Sequence, residues 1–340
     1  CALLDDGAVR CWGVSGEGRN GLPGESRNIG VSIEPLTVPA ISLGGPATAI
    51  AAGNFHTCAI VADGSVRCWG RAREGQLGYG NEVVVGDAIS PAAAGAVAIG
   101  PGRTATAITA GRYHTCAILD TGDVRCWGLR NSVPSFPEDI GDNELPSSQP
   151  VMNLGGARAI AISAGNNATC ALVEGGDVWC WGQGPAARYS TGENRSLTTP
   201  EQVDLGGKKA SSITVGFHHA CVIFDGPDAG TMSCWGESGS IAGYDGRICY
   251  PDLLTFGNMD AFLGNGTAGI PEPPMSGGLV DVGAGRTVLT ASAGDTTTCA
   301  LLDNLTVRCW GSGPIVGQGI PTVVGDDETP GDVPVINYTG

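Results

Sequence analysis

The feature that most constrains this chain is a cysteine hairpin written six times. "CAIVADGSVRCWG" starts at Cys58, and its counterparts are "CALLDDGAVRCWG" at Cys1, "CAILDTGDVRCWG" at Cys116, "CALVEGGDVWCWG" at Cys170, "CVIFDGPDAGTMSCWG" at Cys221 and "CALLDNLTVRCWG" at Cys299. In the second copy Cys58-Ala59-Ile60-Val61 alternates, Ala62-Asp63-Gly64 turns, and Ser65-Val66-Arg67-Cys68-Trp69 alternates back. A three-residue loop ending in glycine suits a type I turn followed by a left-handed residue. That register sets Cys58 opposite Cys68 and Ile60 opposite Val66. The sulfurs and aliphatic side chains then share one face, and Ala59, Arg67 and Trp69 point the other way.

Before Cys58, "ATAIAAGNFH" supplies another short strand; after Trp69-Gly70 comes a polar, glycine-rich stretch, "REGQLGYG". A unit of roughly 55 residues with several short strands has the size of one propeller blade. With 56 Gly, 21 Pro and only 15% charged residues in 340, the composition is that of a turn-rich all-β protein.

The Ala-Gly-x-x-His-Thr run, the Asp-Gly turn, the Val-x-x-Trp-Gly ending and "EGQLGYG" at Glu74–Gly80 resemble the regulator of chromosome condensation repeat family. The resemblance covers nearly the whole chain in six copies. It implies a β-propeller of four-stranded blades, usually seven, and the cysteine pairs look like an extracellular version of that repeat. The expected fold is therefore all-β, a single propeller domain over residues 1–340 with repeats beginning near Cys1, Cys58, Cys116, Cys170, Cys221 and Cys299. "VPVINYTG" at the C-terminus matches "VPAISLGG" at Val38–Gly45, so Pro46 to Thr57 has no counterpart at either end. A six-bladed ring completed by a flanking segment, a seventh blade outside, and an open array completed by a neighbour all stay open. The start at Cys1, with neither Met nor signal peptide, reads as a piece of something longer.

Thirteen cysteines divide into six pairs and Cys249. The spacing across each hairpin is not a zinc-knuckle spacing, whereas facing ladder positions suit disulfides. The expected bonds are Cys1–Cys11, Cys58–Cys68, Cys116–Cys126, Cys170–Cys180, Cys221–Cys234 and Cys299–Cys309. Six structural disulfides place the protein in an oxidising compartment, extracellular or on the cell surface. Sequons at Asn167, Asn194, Asn265, Asn304 and Asn337 agree with a secretory glycoprotein. Cys249 is either a bridge to another chain or segment, or a buried thiol.

The net charge of −16 and the absence of a basic stripe speak against nucleic acid binding. No apolar run is long enough to span a membrane as a helix. His56, His114 and His219 occupy one repeat position, with His218 beside the last. Ala168 and Thr297 replace the histidine in other copies, so a structural contact at the turn before the hairpin is expected rather than catalysis or metal binding. "GEGRNG" at Gly16–Gly21 fits a dinucleotide-binding pattern but has no strand–helix–strand context; it sits where "EGQLGYG" sits in the next repeat. The acidic stretches at Pro137–Glu144 and Gly325–Asp332 read as solvated loops. Trp12, Trp69, Trp127, Trp181, Trp235 and Trp310 read as blade packing, and Trp179, in place of the repeat's arginine, as an exposed ring.

The longest interval, residues 237–290, carries Cys249, Tyr250, Phe256, Met259, Phe262 and the proline-rich "GIPEPPMSGG". Aromatics on an inserted loop suit a protein partner; the alternative is a small satellite core. No cofactor is implied. The expected function is a non-enzymatic extracellular protein-binding or structural assembly module, part of a larger secreted, surface or filament glycoprotein, with partners that include other copies or segments of the same assembly. Two alternatives stay open. One is guanine-nucleotide exchange on a small GTPase, which the family resemblance implies. The other is a glycan-binding lectin or secreted hydrolase.

Overall fold

The computed structural model describes residues 1–31, 33–133, 135, 138–184, 187, 196–237, 239–240, 243–244, 262–263, 278–311 and 329–336. The chain divides into two compact units, Cys1–Asn167 and Ala168–Gly340. Short antiparallel strands dominate both, and the sheets are blades of the β-propeller class.

In the first unit β1 (Ala2–Leu3) pairs with β2 (Val9–Arg10). Two three-stranded meanders follow: β3 (Ala47–Ala52), β4 (His56–Val61) and β5 (Val66–Gly70), then β6 (Ala105–Ala110), β7 (His114–Leu119) and β8 (Val124–Gly128). β9 (Ala159–Ala164) ends the unit. The second unit holds β10 (Ala168–Val173), β11 (Val178–Gly182) and β12 (Leu197–Gln202), then β13 (Ala210–Val215), β14 (His219–Phe224) and β15 (Met232–Glu237). β16 (Gly239–Ser240) pairs with β17 (Gly243–Tyr244), and β18 (Phe262–Leu263) pairs with β15. The last meander is β19 (Val288–Ala293), β20 (Thr297–Leu302) and β21 (Val307–Gly311).

The hairpin register is the one the alternation dictates. Cys58 faces Cys68 and Ile60 faces Val66 across β4 and β5. Gly64, at φ 79°, closes the turn with its N–H on the Val61 carbonyl, and the Asp63 carboxylate accepts from the Ser65 N–H. All six cysteine pairs are bonded, with Cα atoms 3.9–4.1 Å apart.

The face opposite the sulfurs is covered as well. Every residue of β4 is buried, and Trp69, Trp127, Trp181, Trp235 and Trp310 are wholly inaccessible. The reason lies in the glycine loop of the preceding repeat. Trp69 packs on Gly21 of the preceding repeat and Trp127 on Gly78, where a Cβ would stand 3.0 and 2.8 Å from the indole nitrogen. The "GEGRNG" run is thus a seat for the following repeat's tryptophan, which only glycine leaves room for. Trp12, in the first repeat, lacks such cover and is 49% exposed, unlike its five counterparts. Trp179 is half-buried rather than exposed.

The outer edge of each hairpin is met in a repeating way. The carbonyls of Val9, Val66, Val124, Val178, Met232 and Val307 accept from the N–H groups of Ile41, Val97, Met152, Val203, Val280 and Ile336. Ile41 and Ile336 are the matching positions of the two "VP" segments. In the second blade the Tyr79 hydroxyl fills the next gap, accepting from the Cys68 N–H at 3.0 Å and donating to the Cys68 carbonyl at 3.1 Å. The fourth position is a full strand at β12. Elsewhere isolated bridges such as Gly70 to Val85 and Gly128 to Ile140 hold it, because the connecting segments are too rich in glycine and proline for a long ladder.

Candidate interaction surface

The repeated histidines are strand residues, not turn residues. His56 and His219 are buried at the starts of β4 and β14, and each reaches the next sheet of its unit. His56 Nε2 lies 2.8 Å from Thr115 Oγ1, and His219 Nε2 lies 2.6 Å from Thr298 Oγ1. The Thr115 hydroxyl donates to the Gln76 carbonyl at 2.9 Å, so it accepts from His56, whose Nε2 carries the proton. Burial lowers the His56 pKa to about 4. Burial, with the charge of His56 as a smaller cause, lowers that of His114 to about 3. Neutral imidazoles in a dry interface hold sheets together. Among the described residues no group of three or more His, Cys, Asp or Glu side chains is gathered to hold a metal ion, and no helix is long and apolar enough to cross a membrane.

The sequence-based binding candidates fall largely elsewhere. Cys249, Tyr250, Phe256 and Met259 lie outside the described residues, as do Asn194, Asn265 and Asn337. Phe262 contributes backbone to β18, paired with Glu237. Asn167 is half-buried and its Oδ1 accepts from the Ser132 hydroxyl at 3.0 Å. Asn304 is exposed in the last hairpin turn, its Oδ1 accepting from the Thr306 hydroxyl at 2.7 Å.

A different surface gathers in the first unit, from four separate loops. Phe55 and Tyr113 occupy the position just before the repeat histidine, and their rings stack at 5.2 Å and 14°. The Arg19 guanidinium lies 4.8 Å from the Phe55 centroid, and Arg112 lies 5.0 Å from that of Tyr113. Arg71 sits at the junction, 5.4 Å from Phe55 and 5.3 Å from Tyr113. Each such contact contributes on the order of 0.5–2 kcal/mol.

Carboxylates fix the arginines in place. Glu74 accepts from Arg71 through both oxygens, one at 3.0 Å from Nε. Glu74 is itself held by Gln76, which is fully buried: Gln76 Nε2 donates to Glu74 Oε2 at 2.8 Å, and the Glu74 N–H donates to Gln76 Oε1 at 3.0 Å. Arg19 donates to Glu17 at 2.8 Å, and Arg73 approaches Glu17 at 4.0 Å. The Arg19 guanidinium holds the Glu17 carboxyl below the usual carboxylate range. Glu17 has φ 58°, a left-handed conformation that a non-glycine residue adopts at a cost. The Gln76 carbonyl meanwhile accepts from Thr115 and from Trp127 Nε1. The surface is therefore wired directly into the packing between two sheets.

Family models of the regulator of chromosome condensation (RCC1) repeat match this chain at residues 47–76, 105–133 and 159–185, and at 63–118. The chain carries RCC1 repeats. The matched segments contain Phe55, Arg71, Tyr113 and Arg112, so the surface is mounted on the RCC1 repeat frame itself. Two curated relatives from Arabidopsis thaliana are the mitochondrial RCC1 domain-containing protein RUG3, 26% identical over 66% of this chain, and the ultraviolet-B receptor UVR8, 29% identical over 64%. The matches span about half the length of each of those proteins, 51% and 47%. Among solved structures, Prp20p from Saccharomyces cerevisiae superposes with a TM-score of 0.64 over 91% of this chain and 68% of its own, at 17% identity. That likeness concerns the RCC1 fold alone.

Proposed function

We propose that this RCC1-repeat chain is a non-enzymatic protein-binding or structural assembly module of a larger secreted or cell-surface protein. The observation that carries the reading is the set of six hairpin disulfides, one per repeat. A reducing cytosol or nucleus would not keep such a set closed. Protein binding is supported by analogy with Prp20p, whose structure is described together with its binding to Gsp1p and histones. It is also supported by the way the repeat spends its histidines and threonines on packing rather than on an open catalytic cleft. Of the described sequons, the exposure of Asn304, against the half-buried Asn167, favours Asn304 as a glycan carrier.

Alkylation of the protein in denaturant and without reductant, which exposes cysteines that are buried in the fold, followed by intact mass measurement, tests the compartment. The twelve hairpin cysteines should take no label. Labelling of most of them would turn the reading towards an intracellular regulator of the nucleotide-exchange kind.

A further inference from the structure

We propose that Asn304 carries an N-linked glycan and that the first N-acetylglucosamine shelters Leu305, its neighbour in the sixth hairpin turn. The inference rests on the secretory reading above and gives the glycan a place and a role.

The turn departs from its counterparts at one position. Gly7, Gly64, Gly122 and Gly176 hold that position in four other copies, at φ 79–85°, each with its N–H on the carbonyl three residues back. In the sixth copy Leu305 takes it at φ 64°, with its N–H on the Leu302 carbonyl at 2.9 Å. Glycine is at ease in this left-handed conformation, whereas leucine adopts it at a cost. The side chain recovers nothing from the fold, because Leu305 is 75% exposed. A lone exposed leucine is ordinary; one that also displaces the turn's glycine is not. It stands at the centre of the sequon Asn304-Leu305-Thr306.

The amide is held ready for modification. Asn304 is exposed, and its Oδ1 accepts from the Thr306 N–H at 3.2 Å and from the Thr306 hydroxyl at 2.7 Å. Its Nδ2, the atom that takes the sugar, has no partner among the described residues. A Cβ on Gly7, Gly64, Gly122 or Gly176 would come within 2.5–2.8 Å of Pro46, Thr104, Arg158 or Lys209, so those turns press on the start of the following sheet. In the sixth turn Asp303, Asn304 and Leu305 are all exposed. Asn167, by contrast, is half-buried and engaged by the buried Ser132. On modification the Asn304 Nδ2 bonds to C1 of the sugar and gives up one proton. The bond from C1 to a lipid-linked pyrophosphate donor of the secretory pathway breaks, and the lipid pyrophosphate leaves. The apolar face of the first sugar then takes leucine surface out of water.

Mass-spectrometric peptide mapping of the native protein tests this, before and after an amidase that releases N-glycans and converts the asparagine to aspartate. Asn304 should be occupied in most molecules and Asn167 in few. Aspartate is the second copy's residue at that place, and Asp63 accepts from the Ser65 N–H as Asn304 does from Thr306, so release leaves the turn its hydrogen bond. Release should lower the melting temperature by about 2 °C. Trimming to a single N-acetylglucosamine should leave it unchanged. In Leu305→Gly, which restores the residue of the other turns, occupancy should persist and release should no longer shift the melting temperature. The proposal is overturned if Asn304 is unoccupied, or if release shifts the parent chain and Leu305→Gly alike. Closed disulfides with a bare Asn304 would refute this site and leave the extracellular reading standing; open cysteines beside an occupied Asn304 would do the reverse.

Discussion

The indole Nε1 of Trp127 donates to the carbonyl of Gln76 at 2.9 Å, tying the third hairpin to the glycine loop of the repeat before it. Two residues beyond Gln76, Gly78 has φ 76°, and a Cβ there would stand 2.8 Å from that nitrogen. Gly78→Ala should therefore cost about 3 kcal/mol: about 1–2 for the left-handed backbone, the rest for displacing a buried indole. Gly102→Ala, at φ 65° with open space around its Cβ, bears only the backbone part. Urea unfolding of the two variants side by side checks the difference. Equal losses would remove the Trp127–Gly78 contact from the account.

Arg125 is a buried arginine clasping a loop. Its Nη1 donates to the Pro146 carbonyl at 2.6 Å and to that of Gln149. Arg10 does the same to Leu36 and Val38, and Arg308 to Pro330 and Val333. Arg125→Met keeps the length of the side chain but leaves both carbonyls unmet, so a loss of about 2–4 kcal/mol is expected. Arg67, whose Nη1 reaches the Val66 carbonyl only at 3.4 Å, should tolerate the same change within about 1 kcal/mol. Thermal melts of both variants decide whether the clasp, rather than the charge, matters.

The hairpins were legible because the information is local. Period-two alternation from Cys58 to Val61 and from Ser65 to Trp69, with Gly64 at the one left-handed position, leaves a single register. What lay beyond reach were the contacts between repeats. Arg67 and Trp69 read as the face away from the sulfurs and Trp69 as blade packing, but nothing in the hairpin reveals that Gly21 and its loop will cover that indole. The histidines were legible as structural residues, but not their place in the strand or their partner, since His56 meets Thr115, 59 positions away. The Arg19–Phe55–Tyr113–Arg112 stack needs four loops to converge. Its one available signal was the aromatic residue before the repeat histidine, present at Phe55 and Tyr113 and absent at Asn167.

The Cys58–Cys68 bond closes a short loop inside a strand pair that already has its ladder. Loop entropy nevertheless predicts a stabilisation of about 3 kcal/mol through the unfolded state. Cys58→Ala/Cys68→Ala should lower stability by that order without altering the fold, as chemical denaturation and circular dichroism would show. A loss well below 1 kcal/mol would mean that the ladder alone fixes the hairpin and that the bond serves another purpose.

The buried histidines give the fold an acid limit that sets in before the carboxylates titrate. An unfolded histidine takes up its proton near pH 6.5, whereas His56 and His114, with pKa values of about 4 and about 3, stay neutral in the fold. Below pH 6.5 the unfolded chain binds protons that the folded chain refuses. Stability is therefore fully present above that pH and falls as pH drops towards 4. Between pH 7 and pH 5 each histidine should account for a loss of about 2 kcal/mol. His56→Thr, copying Thr297 of the sixth repeat, lowers stability at pH 7 by removing the bond to Thr115. It should also flatten the pH dependence by about 2 kcal/mol over the same interval. Urea midpoints at pH 7, 6 and 5 measure both effects. An unchanged slope in the variant would mean that His56 takes its proton in the folded state, and the dry interface between the two sheets would have to be given up.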